Sequence, residues 1–500
     1  MGPERGAARP GWGGDLLALA AGGVLPLAFA PFHWALVAVL SVALLFLLWR
    51  QVAPRRALWR GWLFGVGMFG VGTSWIYVSI HLYGNASAPL AGFLTALFVV
   101  VLAGFPAAAG GLARRFGGGL LGLAVGFPAW WTLLEWVRDW FLTGFPWLSL
   151  GYSQLNTPLG GLAPVLGVYG VSAATALTAG LGVAALSAGR GTRRWVCVAA
   201  MGLLWAGAGG LGLVRWTHPE GAPLSVSLLQ GNVPQNLKWL PQLRERILER
   251  YAGLTEAHWA SRLIIWPETA IPDFYAAVRQ DFLAPLARRA RERGDTLLIG
   301  VPVRDSRTQR YYNAVVQLGA GGPPAFYFKR HLVPFGEYVP LKAYLEGLLD
   351  VLDIPWSDFS PGAKHQPPLE VDGRQIGVSI CYEDAFGAEI IRDLPAAQLL
   401  VNVSDDAWFG HSLAPYQHLE IARMRARETG RYLVRATNTG VSAIIGPRGG
   451  IRAEAPQFQV FVLSGVARFM TGATPYVRWG NTPLVVLAVL GAGIAALRRR

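Results

Sequence analysis

Three apolar, strand-like runs in the second half of this sequence each end on a reactive group. One is Gln375-Ile376-Gly377-Val378-Ser379-Ile380-Cys381, where Tyr382, Glu383 and Asp384 follow the thiol directly. The other two are Leu263-Ile264-Ile265-Trp266-Pro267-Glu268 and Ala325-Phe326-Tyr327-Phe328-Lys329. In layered α/β folds, residues at the carboxyl ends of neighbouring strands converge on one crevice, so a thiol, a carboxylate and an ammonium could meet. Those three types suit covalent acyl transfer. A thiolate attacks a carbonyl, a carboxylate carries the proton, and a fixed positive charge favours both the thiolate and the tetrahedral oxyanion. Each residue alone also has an ordinary reading: Cys381 as a small core hydrophobe, Glu268 as a turn residue after Trp-Pro, and Lys329 as a solvated strand end.

Cysteine usage favours chemistry over cross-linking. The chain has two cysteines, and Cys197 lies in an apolar run read as membrane-embedded, so Cys381 has no disulfide partner in its own compartment.

The elements that must position these groups begin with a membrane. The 500 residues are 53% hydrophobic and 15% charged, with 20 Trp and 62 Gly. Several apolar runs approach the ~20 residues needed to cross a bilayer. They fall at 14–32, 33–49, 61–80, 88–110, 117–137, 161–188, 194–214 and 480–497, which makes eight candidate spans. The formal charge of +14 could suggest nucleic acid, but it is unevenly placed: +9 over residues 1–217, +1 over 218–475 and +4 in the tail. Arg5, Arg9, Arg50, Arg55, Arg56, Arg60, Arg114, Arg115, Arg190, Arg193, Arg194 and Arg498 to Arg500 mark alternate connections, whereas the loops at 81–87 and 138–160 are nearly free of basic residues. By the positive-inside rule both termini are cytoplasmic, residues 215–479 face outward, and nucleic acid is not a partner. A competing reading takes Ala28-Phe29-Ala30 as a signal-peptide cleavage site, leaving seven spans.

Residues 218–475 change to short β-rich runs alternating with charged helices, an α/β layered domain. Strands are expected at 224–229, 263–266, 296–301, 314–318, 325–328, 376–380, 399–403, 432–436 and 441–445. Helices are expected at 241–257, 280–293 and 415–429, the last two Arg-rich on one face and closed by Gly294 and Gly430. Leu341, Tyr344, Leu345, Leu348, Leu349 and Leu352 have helical spacing and suit either a lid on the lipid surface or a plain core-facing helix before the Pro355-Trp356 turn. Trp140, Phe141, Phe145, Trp147 and Tyr152 suit a membrane interface, whether as part of the site or as an ordinary aromatic belt. The eight His offer no close pair at ligand spacing, and neither a metal nor a cofactor is expected.

Trp266-Pro267-Glu268-Thr269-Ala270, Lys329 through Pro340 and Ile380-Cys381-Tyr382-Glu383 resemble the Glu, Lys and Cys motifs of the carbon–nitrogen hydrolase (nitrilase) superfamily. With membrane spans before such a domain and one after it, the whole chain resembles the apolipoprotein N-acyltransferase family. Further likeness lies in Glu135-Trp136-Val137-Arg138, Gly144 to Leu148, Gly151 to Gln154, Gln230 to Gln235 and Asn402 to Phe409. The resemblance implies an eight-helix transmembrane region with an α-β-β-α sandwich set between helices seven and eight. The implied domains are 1–217, 218–475 (periplasmic and catalytic) and 476–500, in a monomer of the bacterial inner membrane. It also implies a phospholipid acyl donor, a diacylglyceryl apolipoprotein acceptor and a ping-pong reaction through a thioester. On that likeness Cys381 is the nucleophile, Glu268 the general base and Lys329 the oxyanion stabiliser, while Glu337, Glu383, Tyr382, Trp239, Trp147 and Tyr338 support the site or bind substrate.

Two other functions fit parts of the sequence. A membrane-tethered amidase using water would need the same three residues but at most one anchor. A transporter or structural membrane protein with a degenerate outer domain should lack an intact triad, and intramembrane charge is scarce, with only Glu135, Arg138 and Asp139 near span ends.

Overall fold

A computed structural model describes residues 11–319, 322–340 and 358–497. The expected segment 341–352, the Pro355-Trp356 turn, Arg5, Arg9 and Arg498 to Arg500 lie outside the described residues. Every apolar run picked out above is helical. Among the described residues four helices are long and apolar enough to cross a bilayer: Ala88–Phe116, Gly119–Val137, Pro158–Ser187 and Thr192–Leu211. A fifth candidate is a broken one, Pro54–Gly72 and Trp75–Tyr83, bent by 51°. Trp12–Ala28, Ala35–Trp49 and Thr482–Leu497 are apolar but shorter. Glycines allow these helices to pack closely: a methyl on Gly22 would strike the Phe64 carbonyl and one on Gly61 the Pro106 carbonyl.

Among the described residues the α/β part contains twelve strands in two six-stranded sheets. The first sheet is built from β1 (Thr217–Gln230), β2 (Leu263–Ile265), β3 (Thr296–Arg304), β4 (Tyr311–Gly319), β5 (Ala325–Phe328) and the late strand β12 (Phe461–Gly472). Its order is β12-β1-β2-β3-β4-β5. The second sheet holds β6 (Leu369–Val371), β7 (Arg374–Ile380), β8 (Leu399–Ser404), β9 (Leu433–Thr437), β10 (Ala443–Ile445) and β11 (Ile451–Glu454), in the order β11-β10-β9-β8-β7-β6. Each sheet has three parallel strands at its centre, β1-β2-β3 and β7-β8-β9, flanked by antiparallel ones.

Period-two alternation explains the layering. Leu224, Val226, Leu228, Leu263 and Ile265 of one sheet meet Ile376, Val378, Ile380, Val401 and Val403 of the other in a common core. The alternate residues Leu229, Ile264, Leu297 and Ile299 face Ile247, Leu248 and Tyr251 of helix Arg244–Glu256, together with Leu286 and Ala290 of helix Ala284–Arg293. On the far side, Leu400, Leu433 and Ile445 face Leu419, Ala422 and Ala426 of helix Ala414–Thr429. The result is helix, sheet, sheet, helix.

Strands β6, β11 and β12 fall outside the nine expected ones. β6 and β11 are short edge strands, and much of β12 is solvent-exposed, so their hydrophobic alternation is weak. Gly294 and Gly430 close their helices in the left-handed region, at φ 76° and 64°. The helix at 414–429 buries much of its polar side: Gln417, His418, Glu420, Arg425 and Glu428 are all buried. One face packs on the second sheet and the other on the membrane half. There Glu420 meets His33 at 3.2 Å, and Glu428 accepts from the Val168 amide at 2.6 Å. Helix Thr482–Leu497, beyond β12, returns to the helical region, with Gly491 against Val125 and Ala129.

Candidate active site

Parallel pairing of β7 with β8 and of β1 with β2 and β3 sets several strand ends at one rim. Cys381 leaves β7 at φ 52°, a left-handed backbone unusual for a residue with a side chain, and starts a single helical turn, Cys381–Ala385. The Glu383 carboxylate fixes that turn to the end of β5. Oε1 accepts from the amides of Arg330 (2.6 Å) and His331 (3.1 Å), and Oε2 from the Ile380 amide (2.7 Å) and the Tyr327 hydroxyl (2.9 Å). Burial pushes the Glu383 carboxyl up, opposed by these donors and by the charge of Lys329.

Lys329 is buried between two carboxylates. Its Nζ donates to Glu337 Oε1 at 2.9 Å and to Glu268 Oε1 at 3.3 Å. Asn313 Nδ2 bridges the same two oxygens, at 2.7 Å from Glu268 and 3.0 Å from Glu337. The Asp405 amide donates to Glu268 Oε2 (2.9 Å), and the Val333 amide to Glu337 Oε2 (2.8 Å). Burial opposes the Lys329 charge, but Glu268, Glu337 and Cys381 together raise its pKa above the ordinary value. Cys381 is partly buried, and desolvation drives its thiol well above the usual range. The Glu268 charge adds to that rise and the Lys329 charge opposes it, so all three groups share one electrostatic environment. A thiol whose pKa is so raised needs a base in order to react, and a carboxylate near it can serve as one.

Residues 21–181 match the apolipoprotein N-acyltransferase N-terminal domain, and residues 225–468 match the carbon-nitrogen hydrolase family. The chain is 50% identical over 487 residues to the apolipoprotein N-acyltransferase of Methylococcus capsulatus, covering 97% of this chain and 96% of that one. It is 49% identical over 504 residues to that of Azotobacter vinelandii, covering 98% and 96%. This chain belongs to the apolipoprotein N-acyltransferase family. It is an acyltransferase with a carbon-nitrogen hydrolase fold of two sheets and a helical N-terminal region.

For this family member the structure sorts the expected residues. Glu268, Lys329 and Glu337 are hydrogen-bonded together, the charges of Glu268 and Lys329 both act on the Cys381 thiol, and Glu383 sits behind Cys381 as a strut. Tyr382 donates its hydroxyl to the Gly144 carbonyl (2.9 Å), and its ring stacks near Trp147 at 6.3 Å. Trp147 and Tyr152 are buried, only 2% exposed, which corrects their expected place at a membrane interface. The exposed tip of that loop is Trp140, Phe141 and Leu142. Trp239 is exposed and Tyr338 half-buried; among the described residues neither bonds to Glu268, Lys329 or Cys381.

Sequence reasoning left several partners without a role. Asn313 is one. Lys238 is another, buried and donating to Asp405 Oδ2, to the Thr269 hydroxyl (2.7 Å) and to the Glu268 carbonyl (3.3 Å). Behind Cys381 lies a buried cluster in which Arg435 pairs with Asp384 (3.2 Å) and Asp406 (3.0 Å), and His418 bridges the same two carboxylates. The run Leu399 to Asp406 carried a usable signal, since it too is a largely apolar strand ending on acids.

Proposed function

We propose that this chain N-acylates the terminal cysteine of diacylglyceryl apolipoproteins, with a phospholipid as acyl donor, through a thioester on Cys381. The observation that carries this reading is the Lys329 ammonium held between Glu268 and Glu337, whose charge opposes the rise that burial imposes on the Cys381 thiol. In the first half-reaction Glu268 takes the Cys381 proton as sulfur attacks the ester carbonyl, and Lys329 balances the oxyanion. The C–O bond then breaks, and the proton passes to the alcohol oxygen of the departing lysophospholipid. In the second half the neutral α-amine attacks the thioester, Glu268 accepts its proton, the C–S bond breaks, and that proton returns to sulfur. Neither step calls for a cofactor. Glu337 supports Lys329, Glu383 supports the Cys381 turn, and Trp147, Trp239, Tyr338 and Tyr382 line or support the lipid path.

The same reading places residues 1–217 and 476–500 in the bacterial inner membrane as eight spans, with 218–475 periplasmic, both termini cytoplasmic and the chain a monomer. A two-tailed donor that reaches the thiol from the bilayer favours this over an amidase using water. Support comes from the joint itself: Tyr382, next to the thiol, bonds to Gly144 of the helical half. Intact mass after incubation with phospholipid alone tests the order of events. The expected gain is one acyl chain on Cys381, removed by neutral hydroxylamine; an adduct that forms only with lipopeptide present would replace ping-pong with direct transfer. A reporter fused after residue 300 that is active only in the cytoplasm would overturn the orientation.

A further inference from the structure

The break between Pro54–Gly72 and Trp75–Tyr83 leaves backbone polar groups without their helical partners. The Ile76 amide turns to Thr73 O (3.0 Å), not to the carbonyl four residues back, so Gly72 O lacks its usual donor. One buried side chain from the sandwich meets this break. Gln417 Nε2 donates to Gly72 O (3.2 Å), and Gln417 Oε1 accepts from Trp75 Nε1 (3.2 Å) and Trp147 Nε1 (2.7 Å). The next residue on the same helix faces the nucleophile. His418 Nε2 lies 3.3 Å from the Cys381 carbonyl and 3.0 Å from Asp384 Oδ1, while Nδ1 lies 2.9 Å from Asp406 Oδ1. Trp147 closes the circuit, with its ring 5.6 Å from His418 and 6.3 Å from Tyr382.

Cys381 needs such support. A left-handed backbone at a side-chain-bearing residue persists only where its surroundings over-determine it. Among the described residues the Cys381 carbonyl meets His418 Nε2 and Asn402 Nδ2 (3.4 Å), and the first sits on the same helix as Gln417, which meets the break. We propose that Gln417 and His418 are positioning residues through which the bend at Gly72 to Trp75 sets the backbone of Cys381. The reactivity of the thiol then depends on the shape of the bent helix pair, which links the membrane half to acyl transfer without either residue touching substrate. This inference rests on the reading of Cys381 as nucleophile.

The test uses the full-length protein in detergent and in bilayer nanodiscs, with two readouts: the rate of Cys381 alkylation by iodoacetamide, and kcat and KM for acyl transfer to a lipopeptide. Gln417→Leu and Trp75→Phe should slow alkylation and lower kcat, with KM unchanged, by about tenfold to a hundredfold, the scale of a small misplacement of a reacting group. His418→Leu should do the same, and His418→Gln should recover much of the loss because an amide can still donate to the Cys381 carbonyl. Trp205→Phe, which removes a bond to Thr178 elsewhere in the helical half, is the control and should behave as wild type. Wild-type alkylation and kcat in Trp75→Phe or Gln417→Leu would overturn the proposal, as would an equal loss in Trp205→Phe. If Gln417→Leu does not fold, the milder Trp75→Phe decides alone. Failure of the underlying reading is separate, because it would show as turnover surviving in Cys381→Ala.

Discussion

Gly300 on β3 lies directly beneath Glu268: a methyl group on it would come 2.8 Å from Glu268 Cα and 2.1 Å from the Pro267 carbonyl. Both atoms are backbone and cannot swing aside. Gly300→Ala should therefore displace Glu268 and destabilise the fold by roughly 1–3 kcal/mol, the range for overpacking. Thioester formation should fall well beyond what the lost stability explains, as measured by adduct yield at a temperature where the variant is folded. Full adduct yield would show that Glu268 tolerates displacement.

Lys329→Met should leave Glu268 and Glu337 sharing Asn313 with no cation between them. Two carboxylates in one buried site favour protonation of one of them, so the base weakens as the oxyanion partner is lost. Adduct formation should drop by at least ~10², as should that of Glu268→Gln. Accumulation of adduct at the wild-type rate in either variant would remove that residue from the mechanism.

The two thiols should separate cleanly. Cys381→Ser should end turnover, whereas Cys197→Ala should not, because Cys197 sits in helix Thr192–Leu211 of the membrane half. Equal losses measured by lipopeptide acylation would undo the assignment.

Stability should depend on pH through the cluster behind Cys381. Burial and Arg435 lower the His418 pKa, but Asp384 and Asp406 outweigh them and raise it from 6.5 to about 9. A raised pKa contributes stability that is fully present below 6.5 and is lost as pH rises toward about 9. For Asp406 burial raises the pKa, yet Arg435 and His418 bring it from 3.8 down to about 2, so its contribution is present above 3.8 and fades toward 2. Thermal unfolding should be most resistant between these limits, and His418→Gln should flatten the alkaline limb. An unchanged alkaline limb in that variant would mean that His418 is not the group titrating there.

Sequence alone picked out the proposed reactive set and the layered class. Glu268, Lys329 and Cys381 each close an apolar run, and Val226, Ile265 and Ile380 keep the two-residue period that turns alternate side chains to opposite faces of a sheet. Only the tertiary structure decided what holds that set in place. Asn313, Lys238 and Asp405 reach Glu268 from three different elements, and a hydrogen bond across such separations leaves no periodic trace in a chain. Trp147, Gln417, Glu420 and Glu428 carry the composition of exposed surfaces, yet they are buried where two halves of the chain meet. Periodicity reports the face an element turns to its own layer; burial between layers depends on which surfaces meet, and that is a property of the assembled fold.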